Sequence, residues 1–527
     1  MTQNHPSRSI RFRMVRIMIG ALLLGMGFFP AVDAQVTNEA VVDLDETRQI
    51  IRGFGAANIM RWRPDMTPDE IDKAFGTDDG QIGLSILRLR IPPNANDFHY
   101  NLPTARAAHE YGVTLIASPW SPPAGMKTNN NLVGGELREN KYADFADYLQ
   151  DFVDYMADNE APVYAISIQN EPDITVSYES CDWSPSQMLK FIKENAGTIT
   201  GTKVMAPESF QFRRQMSDPL LNDPEACENL DIVCGHIYGA GLARYPLAES
   251  KGKEIWMTEH LILETSWSDN LSTGSDMNRC MLYGMSAYVW WYIVRFYGPI
   301  YDDGSDARTP AGAVQGEISK RGYVMSQFAR FIRPGYYRIE CTVSPQRNLI
   351  LTAYKDTTSR NVAIVAVNTS SSAVNQTFTL RNGDAGYFTP YVTTETKDCE
   401  MGSSLAVTDG RFTATLEASS ITTFVSDNVI SGVRKTPAKP DHFKLLQNYP
   451  NPFNPVTIIG YSLPTNGPVS LKVYNASGCE MATLVDGIRQ AGNHVVTFDG
   501  SHFPSGIYFY QLTTDHRKET RKLMLLK

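Results

Sequence analysis

Two glutamates in this 527-residue chain stand where a carboxylate can do chemistry. The run Ile166-Ser167-Ile168-Gln169-Asn170-Glu171-Pro172 carries an apolar, strand-like stretch straight into Asn-Glu-Pro. Glu254-Ile255-Trp256-Met257-Thr258-Glu259-His260 does the same with a second carboxylate. If both are strands of one parallel barrel, their carboxyl ends face the same mouth, and side chains 88 positions apart, three βα units along the barrel, can converge. Paired carboxylates are what glycosidic bond cleavage requires: one gives a proton to the leaving oxygen, and the other, ionised, attacks or stabilises the anomeric carbon. A separation of about 5 to 5.5 Å implies retention of configuration and about 6.5 to 9.5 Å inversion. With 57 acidic residues in the chain, a random Glu is a solvated or ion-paired surface group. The strand-end setting is what separates these two from the rest.

The elements that position them read as alternating periods. Strand candidates lie near Gly53 to Ile59 and at Leu84 to Arg90, Val113 to Ser118, Val163 to Gln169, Lys203 to Ala206, Asp231 to His236, Glu254 to Thr258 and Ala287 to Tyr292. Several are apolar on both faces, as strands buried under helices are. Between them, Tyr142 to Asn159 sets Phe145, Leu149, Phe152, Val153 and Met156 at helical spacing, with Asp144, Asp147, Asp151 and Asp154 opposite, an amphipathic crossover helix. Ser184-Pro185 ahead of Met188, Leu189 and Ile192 reads as an N-cap followed by proline at the first helical position. About eight βα units in roughly 280 residues match the ~250 of a (β/α)₈ barrel. An open doubly wound sheet is the alternative, but no glycine fingerprint for a nucleotide is present.

After Pro334 the period changes from helical to alternating. Asn348 to Tyr354, Asn361 to Asn368, Gln376 to Leu380 and Phe412 to Leu416 read as antiparallel strands with turn chemistry between them. Val41 to Asp43 and Gln49 to Ile51 have no helices of their own and are expected to join that later sheet. A polar stretch at 428–442 with Pro437, Lys439 and Pro440 reads as a linker. Beyond it Thr457 to Leu463, Val469 to Tyr474, His494 to Phe498 and Gly506 to Leu512 predict a small all-β sandwich.

The first 34 residues are not fold. Arg8, Arg11, Arg13 and Arg16 precede an apolar run from Ile17 to Phe29, and Val32-Asp33-Ala34 supplies a small-x-small cleavage pattern. This is the form of a secretory signal peptide, too short in its apolar part for the ~20 residues of a membrane span. The expected division is therefore 1–34 signal, 36–52 N-terminal strands of the side β-domain, 53–334 barrel, 335–427 side β-sandwich, 428–442 linker and 443–527 C-terminal sandwich. Without the signal, which holds four Arg and one Asp, the 48 basic and 57 acidic side chains become 44 and 56, net −12. Such an acidic surface disfavours nucleic acid and anionic membranes as partners. The seven Cys form no CxxC pair or zinc-like cluster, and their odd number leaves at least one thiol free; unpaired buried Cys is expected at most of them.

Several motifs in order carry a resemblance. Gly53-Phe54-Gly55, Ser118-Pro119-Trp120-Ser121-Pro122-Pro123, Gln169-Asn170-Glu171-Pro172-Asp173, Ala206-Pro207-Glu208-Ser209, His236-Ile237-Tyr238-Gly239, Trp256-Met257-Thr258-Glu259, Trp290-Trp291-Tyr292-Ile293, Ile318-Ser319-Lys320-Arg321-Gly322-Tyr323 and Phe331-Ile332-Arg333-Pro334-Gly335-Tyr336 resemble glycoside hydrolase family 30, in its bacterial glucuronoxylanase branch, over residues 39 to 427. The resemblance implies a (β/α)₈ barrel with a side β-sandwich and a retaining mechanism without cofactor or metal. Glu171 would be the general acid/base and Glu259 the nucleophile. Arg88 and Tyr238 would donate hydrogen bonds to ionised Glu259, Asn170 would bind the sugar 2-hydroxyl, and Trp120 and Trp291 would line sugar subsites. His236 is expected as a satisfied polar group beneath the site with no direct role.

The substrate implied is xylan bearing glucuronic acid, its branch carboxylate gripped by Arg295 beside Tyr297. A planar guanidinium suits a bidentate carboxylate. The bland alternative pairs Arg295 with Asp302 or Asp303, within an Asp302 to Asp306 run expected to be a solvated insertion. The chain departs from the family just after Glu259, where a tyrosine two positions on and a polar partner further along are common; Leu261 and Glu264 stand here. Strict glucuronate dependence is correspondingly weaker than the barrel chemistry, and neutral xylan, xylo-oligosaccharides or a β-1,6-glucan are the alternative substrates. A non-catalytic polysaccharide-binding protein is the alternative of another class.

The last segment has its own resemblance. Leu446 to Pro455, Val473-Tyr474-Asn475-Ala476-Ser477-Gly478, Ala491-Gly492 and Ser505 to Tyr510, ending in Lys522 to Lys527, resemble the C-terminal sorting domain of type IX secretion substrates. That implies the outer-membrane secretion machinery as a partner and a secreted or cell-surface location. A monomer is expected.

Overall fold

Runs apolar on both faces have one economical solution, a closed parallel barrel wrapped by helices. A computed structural model describes residues 39–59, 62–427, 443–448, 451–489 and 491–526. The expected signal and linker lie outside the described residues.

The barrel strands are Gly53–Ala57, Ile86–Ile91, Thr114–Pro119, Ala165–Ser167, Lys203–Ser209, Ile232–His236, Glu254–His260 and Ala287–Trp290. The first pairs in parallel with the last, Phe54 opposite Tyr288, which closes the ring. Strand alternation sorts side chains between two cores. Ile86, Ile116, Met205, Trp256 and Val289 fill the interior, whereas Leu87 and Leu89 join the larger core under the helices. By the same alternation Arg88 and Arg90 follow Ile86 on the inner face. Gly55 has no room for a side chain: a Cβ there would lie 2.1 Å from the Ile86 carbonyl oxygen.

The crossover helix spans Tyr142–Asp158, burying Phe145, Leu149, Phe152, Val153 and Met156, the face its periodicity predicts. The next helix, Pro185–Glu194, starts in a reciprocal cap: Ser184 accepts from the Gln187 N–H while the Gln187 side chain accepts from the Ser184 N–H.

Beside the barrel lies a ten-stranded sheet, curled around Leu351, Ile364, Phe378, Phe412 and Phe424. The amino-terminal segment joins it, antiparallel to Tyr337–Cys341 and parallel to Val374–Arg381. It is one strand, Glu39–Ile50, rather than the two short ones expected. Its register slips between Val42 and Thr47, where the Asp43 carboxylate accepts from the N–H groups of Asp45 and Glu46 and stabilises the irregularity. Helices Trp267–Leu282 and Lys320–Ala329 lie between barrel and sheet. Polar ties fix the contact: Thr423 donates to the Gln327 carbonyl at 2.6 Å and Trp267 Nε1 to that of Ser419 at 2.8 Å.

The C-terminal segment forms two antiparallel sheets, one of three strands and one of four, closed on Ile459, Tyr461, Leu471, Tyr510 and Leu523. Three of its strands, Lys444–Leu445, Glu480–Arg489 and Lys518–Leu525, escape sequence reading. Lys518–Leu525 opens on Lys-Glu-Thr-Arg-Lys and sits at a sheet edge, where charge guards against pairing with another chain. All seven cysteines are unpaired, five of them buried.

Candidate active site

Four successive barrel strands each bring one titratable group to the same mouth. Glu171 follows Ala165–Ser167, Glu208 lies in Lys203–Ser209, His236 closes Ile232–His236 and Glu259 lies in Glu254–His260. Glu171 and Glu208 both hold left-handed backbone, φ 46° and 53°, which costs a non-glycine residue about 1–3 kcal/mol. The Glu171 N–H donates to the Glu208 carbonyl at 3.1 Å, so the two strained turns brace each other.

One carboxylate oxygen of Glu171 and one of Glu259 lie within 4.8 Å of each other. Glu171 Oε1 is 2.9 Å from His236 Nδ1, and Oε2 accepts from the Tyr178 hydroxyl at 3.1 Å. Burial raises the Glu171 carboxyl above its ordinary range and the charge of Glu259 adds to this, against the hydrogen bonds from His236 and Tyr178. Glu259 Oε1 accepts from the Tyr238 hydroxyl at 2.9 Å, while Oε2 accepts a short bond from Arg88 Nη1.

Arg88 is fully buried. Its Nη2 donates to Asn170 Oδ1 at 2.6 Å and lies 3.1 Å from Glu208 Oε1, and its Nε donates to Ser118 Oγ at 3.3 Å. Burial works against its charge, but Glu208 and Glu259 outweigh that and raise its pKa. Glu208 is fully buried as well. Burial pushes it up, yet Arg88 and His236 overrule burial and bring it down to about 2. His236, equally buried, is raised to about 9, since Glu259, Glu171 and Glu208 overcome the desolvation that lowers it.

Three indoles line the mouth. Trp120 and Trp291 meet at 5.6 Å between ring centroids, tilted by 42°. Trp62, which sequence reading passed over, stands edge-on to both and is half exposed. Further out, half-buried Arg295 places its guanidinium 5.5 Å from the Tyr297 ring, and Tyr297 itself is buried. Asp302 is a correction to the expected solvated insertion: it is buried and held by Arg63 at 2.8 Å, with Arg295 a longer second contact at 3.7 Å. Glu264 is exposed, and Leu261 packs half-buried against the barrel core.

Every site residue expected from sequence, Arg88, Trp120, Asn170, Glu171, Tyr238, Glu259, Trp291, Arg295 and Tyr297, belongs to this mouth or its rim. His236 departs from expectation, touching Glu171 directly, with Nε2 lacking a hydrogen bond. Glu208 and Tyr178 were missed. Pro207 cut the strand reading short at Ala206, so the strand-end rule that found Glu171 and Glu259 never reached Glu208. Nothing in sequence marks Tyr178, which reaches Glu171 from an irregular loop. Glu171, His236 and Glu259 together have the spacing of a metal-binding trio. Arg88 already occupies Glu259, however, and the surrounding carboxylates favour the protonated His236 imidazole, which offers no lone pair.

Comparison with known proteins places two segments of the chain in known families. Residues 85–265 match the glycosyl hydrolase family 30 TIM-barrel domain, and 447–526 match a secretion system C-terminal sorting domain. The chain is 40% identical to the glucuronoxylanase XynC of Bacillus subtilis over 423 residues, covering 77% of this chain and 95% of that protein. It superposes on the family 30 subfamily 8 xylanase Xyn30A of Clostridium acetobutylicum with a TM-score of 0.68 and 37% identity, covering 74% of this chain and all of that one. A more distant relative, at 26% identity over 293 residues, is an endo-1,6-beta-D-glucanase of Neurospora crassa, matched over 50% of this chain and 59% of that protein.

Arg88→Met would leave Glu208 and Glu259 buried without their shared guanidinium. The expected cost is about 3–5 kcal/mol, read from the urea unfolding of the full chain at pH 7. A loss below about 1 kcal/mol would show that the carboxylates do not depend on it.

Proposed function

This chain belongs to glycosyl hydrolase family 30, and on that premise we propose that it is an exported retaining endo-β-1,4-xylanase that cleaves glucuronic-acid-substituted xylan by double displacement, using no cofactor or metal. The observation that carries the reading is the Glu171 and Glu259 pair, whose separation within 4.8 Å falls on the retaining side.

Glu171, its carboxyl raised by burial, protonates the glycosidic oxygen as the C1–O bond breaks. Glu259, oriented by Arg88 and Tyr238, attacks C1 as the carboxylate and forms a glycosyl ester. Its negative charge is then gone, the repulsion that helped raise Glu171 disappears, and Glu171 takes a proton from the incoming water. Water oxygen bonds to C1 on the face the leaving group left, and Glu259 is released. Asn170, fixed by Arg88, holds the sugar 2-hydroxyl, where hydrogen bonds strengthen in the transition state. Trp120 and Trp291 offer flat faces to the C–H surface of the pyranose.

Arg295, backed by Tyr297, grips the branch carboxylate. Its contact with Asp302 is long, because Arg63 is that aspartate's nearer partner, so the guanidinium keeps donors for a ligand. Leu261 and Glu264 favour a second reading with looser specificity, toward neutral xylan or β-1,6-glucan, since neither supplies a donor to an acid sugar. Residues 443–527 serve as the address for the type IX secretion machinery and take the enzyme outside the cell or onto its surface.

Sizing the products formed from glucuronoxylan, neutral arabinoxylan and β-1,6-glucan separates these readings; cleavage of none of them would overturn the enzyme. Glu171→Gln should lower kcat/KM by about 10²- to 10⁴-fold, and Glu259→Gln should abolish turnover. The first-formed product followed by proton NMR should be the β-anomer, and an α-anomer would rule out retention. Arg295→Ala should cost about 10- to 100-fold on glucuronoxylan, the worth of a hydrogen bond to a charged group, and nothing on arabinoxylan. Equal rates on both substrates in the parent would remove the carboxylate grip. Deleting 443–527 should abolish export and spare activity, whereas a large loss of xylan affinity would make the segment a binding module.

A further inference from the structure

The double displacement uses Glu171 and Glu259, and it leaves a third carboxylate, Glu208, fully buried directly beneath them. Glu208 touches no position that substrate can reach. Its Oε1 lies 3.1 Å from Arg88 Nη2 and 3.8 Å from His236 Nε2, ionic contacts off the hydrogen-bond axis. The imidazole stands between two layers: Nε2 faces Glu208, while Nδ1 is 2.9 Å from Glu171 Oε1 and 3.9 Å from Glu259 Oε1.

Those distances matter because the reaction moves a charge. Before glycosylation Glu259 is the anion and Glu171 is protonated. As Glu171 gives its proton to the leaving oxygen and Glu259 forms its bond to C1, the negative charge passes from Glu259 to Glu171. When Glu171 takes a proton from water and the Glu259–C1 bond breaks, the charge returns. Both sites of that travelling charge lie within 4 Å of His236 Nδ1. Resting on the retaining reading above, we propose that Glu208 is a positioning residue that holds His236 as an imidazolium, so that His236 is the fixed counter-ion to a negative charge shuttling between Glu259 and Glu171.

Charge balance gives the physical reason. Arg88 and His236 contribute two positive charges, Glu208 one negative, and Glu259 or Glu171 the other, so the buried cluster is neutral in both half-reactions. Burying net charge in a low-dielectric interior is costly, so removing the Glu208 charge drives off a proton to restore balance. The other groups facing the imidazole do not substitute for it. Tyr238, Tyr178 and the Cys234 thiol are raised by burial and stay neutral, and His260 is lowered to about 4 by burial, by Arg321 and by His236 itself.

The test is the pH dependence of kcat/KM on an aryl β-xylobioside for the full chain, Glu208→Gln and Glu208→Asp, with the His236 ring signal titrated by NMR and assigned from His236→Gln. The basic limb reports loss of the proton held between Glu171 and His236, a property of the coupled pair. Glu208→Gln removes a negative charge, so that proton is lost more easily and the basic limb should move to lower pH by about one to three pH units. The His236 titration should move with it, and Glu208→Asp, which keeps the charge, should return both toward the parent. A Glu208→Gln enzyme slowed equally at every pH, with the His236 titration unmoved, would reduce Glu208 to packing. If that variant does not fold, the parent alone decides: a neutral His236 at pH 7 overturns the proposal. The NMR titration needs no substrate, so failure to cleave xylan would sink the functional reading without deciding this one.

Discussion

The Arg88 guanidinium has lost all contact with water, and its five donors have to be met by the protein. Glu259, Asn170 and Ser118 accept hydrogen bonds from it and Glu208 stands beside it as an ionic partner, and each is thereby placed. The carboxylate proposed to attack is aimed by the same cation that orients the amide proposed to hold the sugar and that offsets the carboxylate below. A buried ion pair is weak evidence for stability, since desolvation consumes most of its attraction. Here it works as a geometric constraint: none of the four partners can turn away without exposing an unmet charge or donor. Trp120 caps the arrangement, its ring 4.8 Å from the guanidinium carbon.

The barrel makes such a cluster affordable. Parallel strands send successive carboxyl ends to one mouth, so Glu171, Glu208, His236 and Glu259 arrive from four neighbours without a loop having to fold inward. Left-handed backbone at Glu171 and Glu208 is the local cost, and it persists because the ladder beneath both residues is fully buried. The side sheet contributes at a distance. By burying helices Trp267–Leu282 and Lys320–Ala329 from outside, it fixes the barrel wall behind Glu259 and Trp291.

The rim follows different rules from the centre. Arg63 holds buried Asp302 at 2.8 Å and lies 3.8 Å from Asp303, which leaves Arg295 a longer contact of 3.7 Å. Lys518–Leu525 carries its charges at the edge of the four-stranded C-terminal sheet, and Tyr461 and Tyr510 are buried in the core of that module.

Sequence by itself determined the periods and therefore the architecture: strands apolar on both faces, a helix with Phe145, Leu149 and Phe152 on one side, and the switch to alternation after Pro334. It also determined Glu171 and Glu259, because a carboxylate at the end of a buried strand is legible wherever the strand is. The Glu208 position fell outside that rule because Pro207 interrupts the pattern, and Tyr178 because loop geometry has no period. What only the tertiary structure decided is protonation. Whether a glutamate gives a proton, attacks, or anchors a histidine depends on burial and on charges brought from strands 23 to 171 positions away. Those distances do not exist along the chain, and the same residue type, Glu, takes three different electrostatic settings in one mouth once the barrel closes.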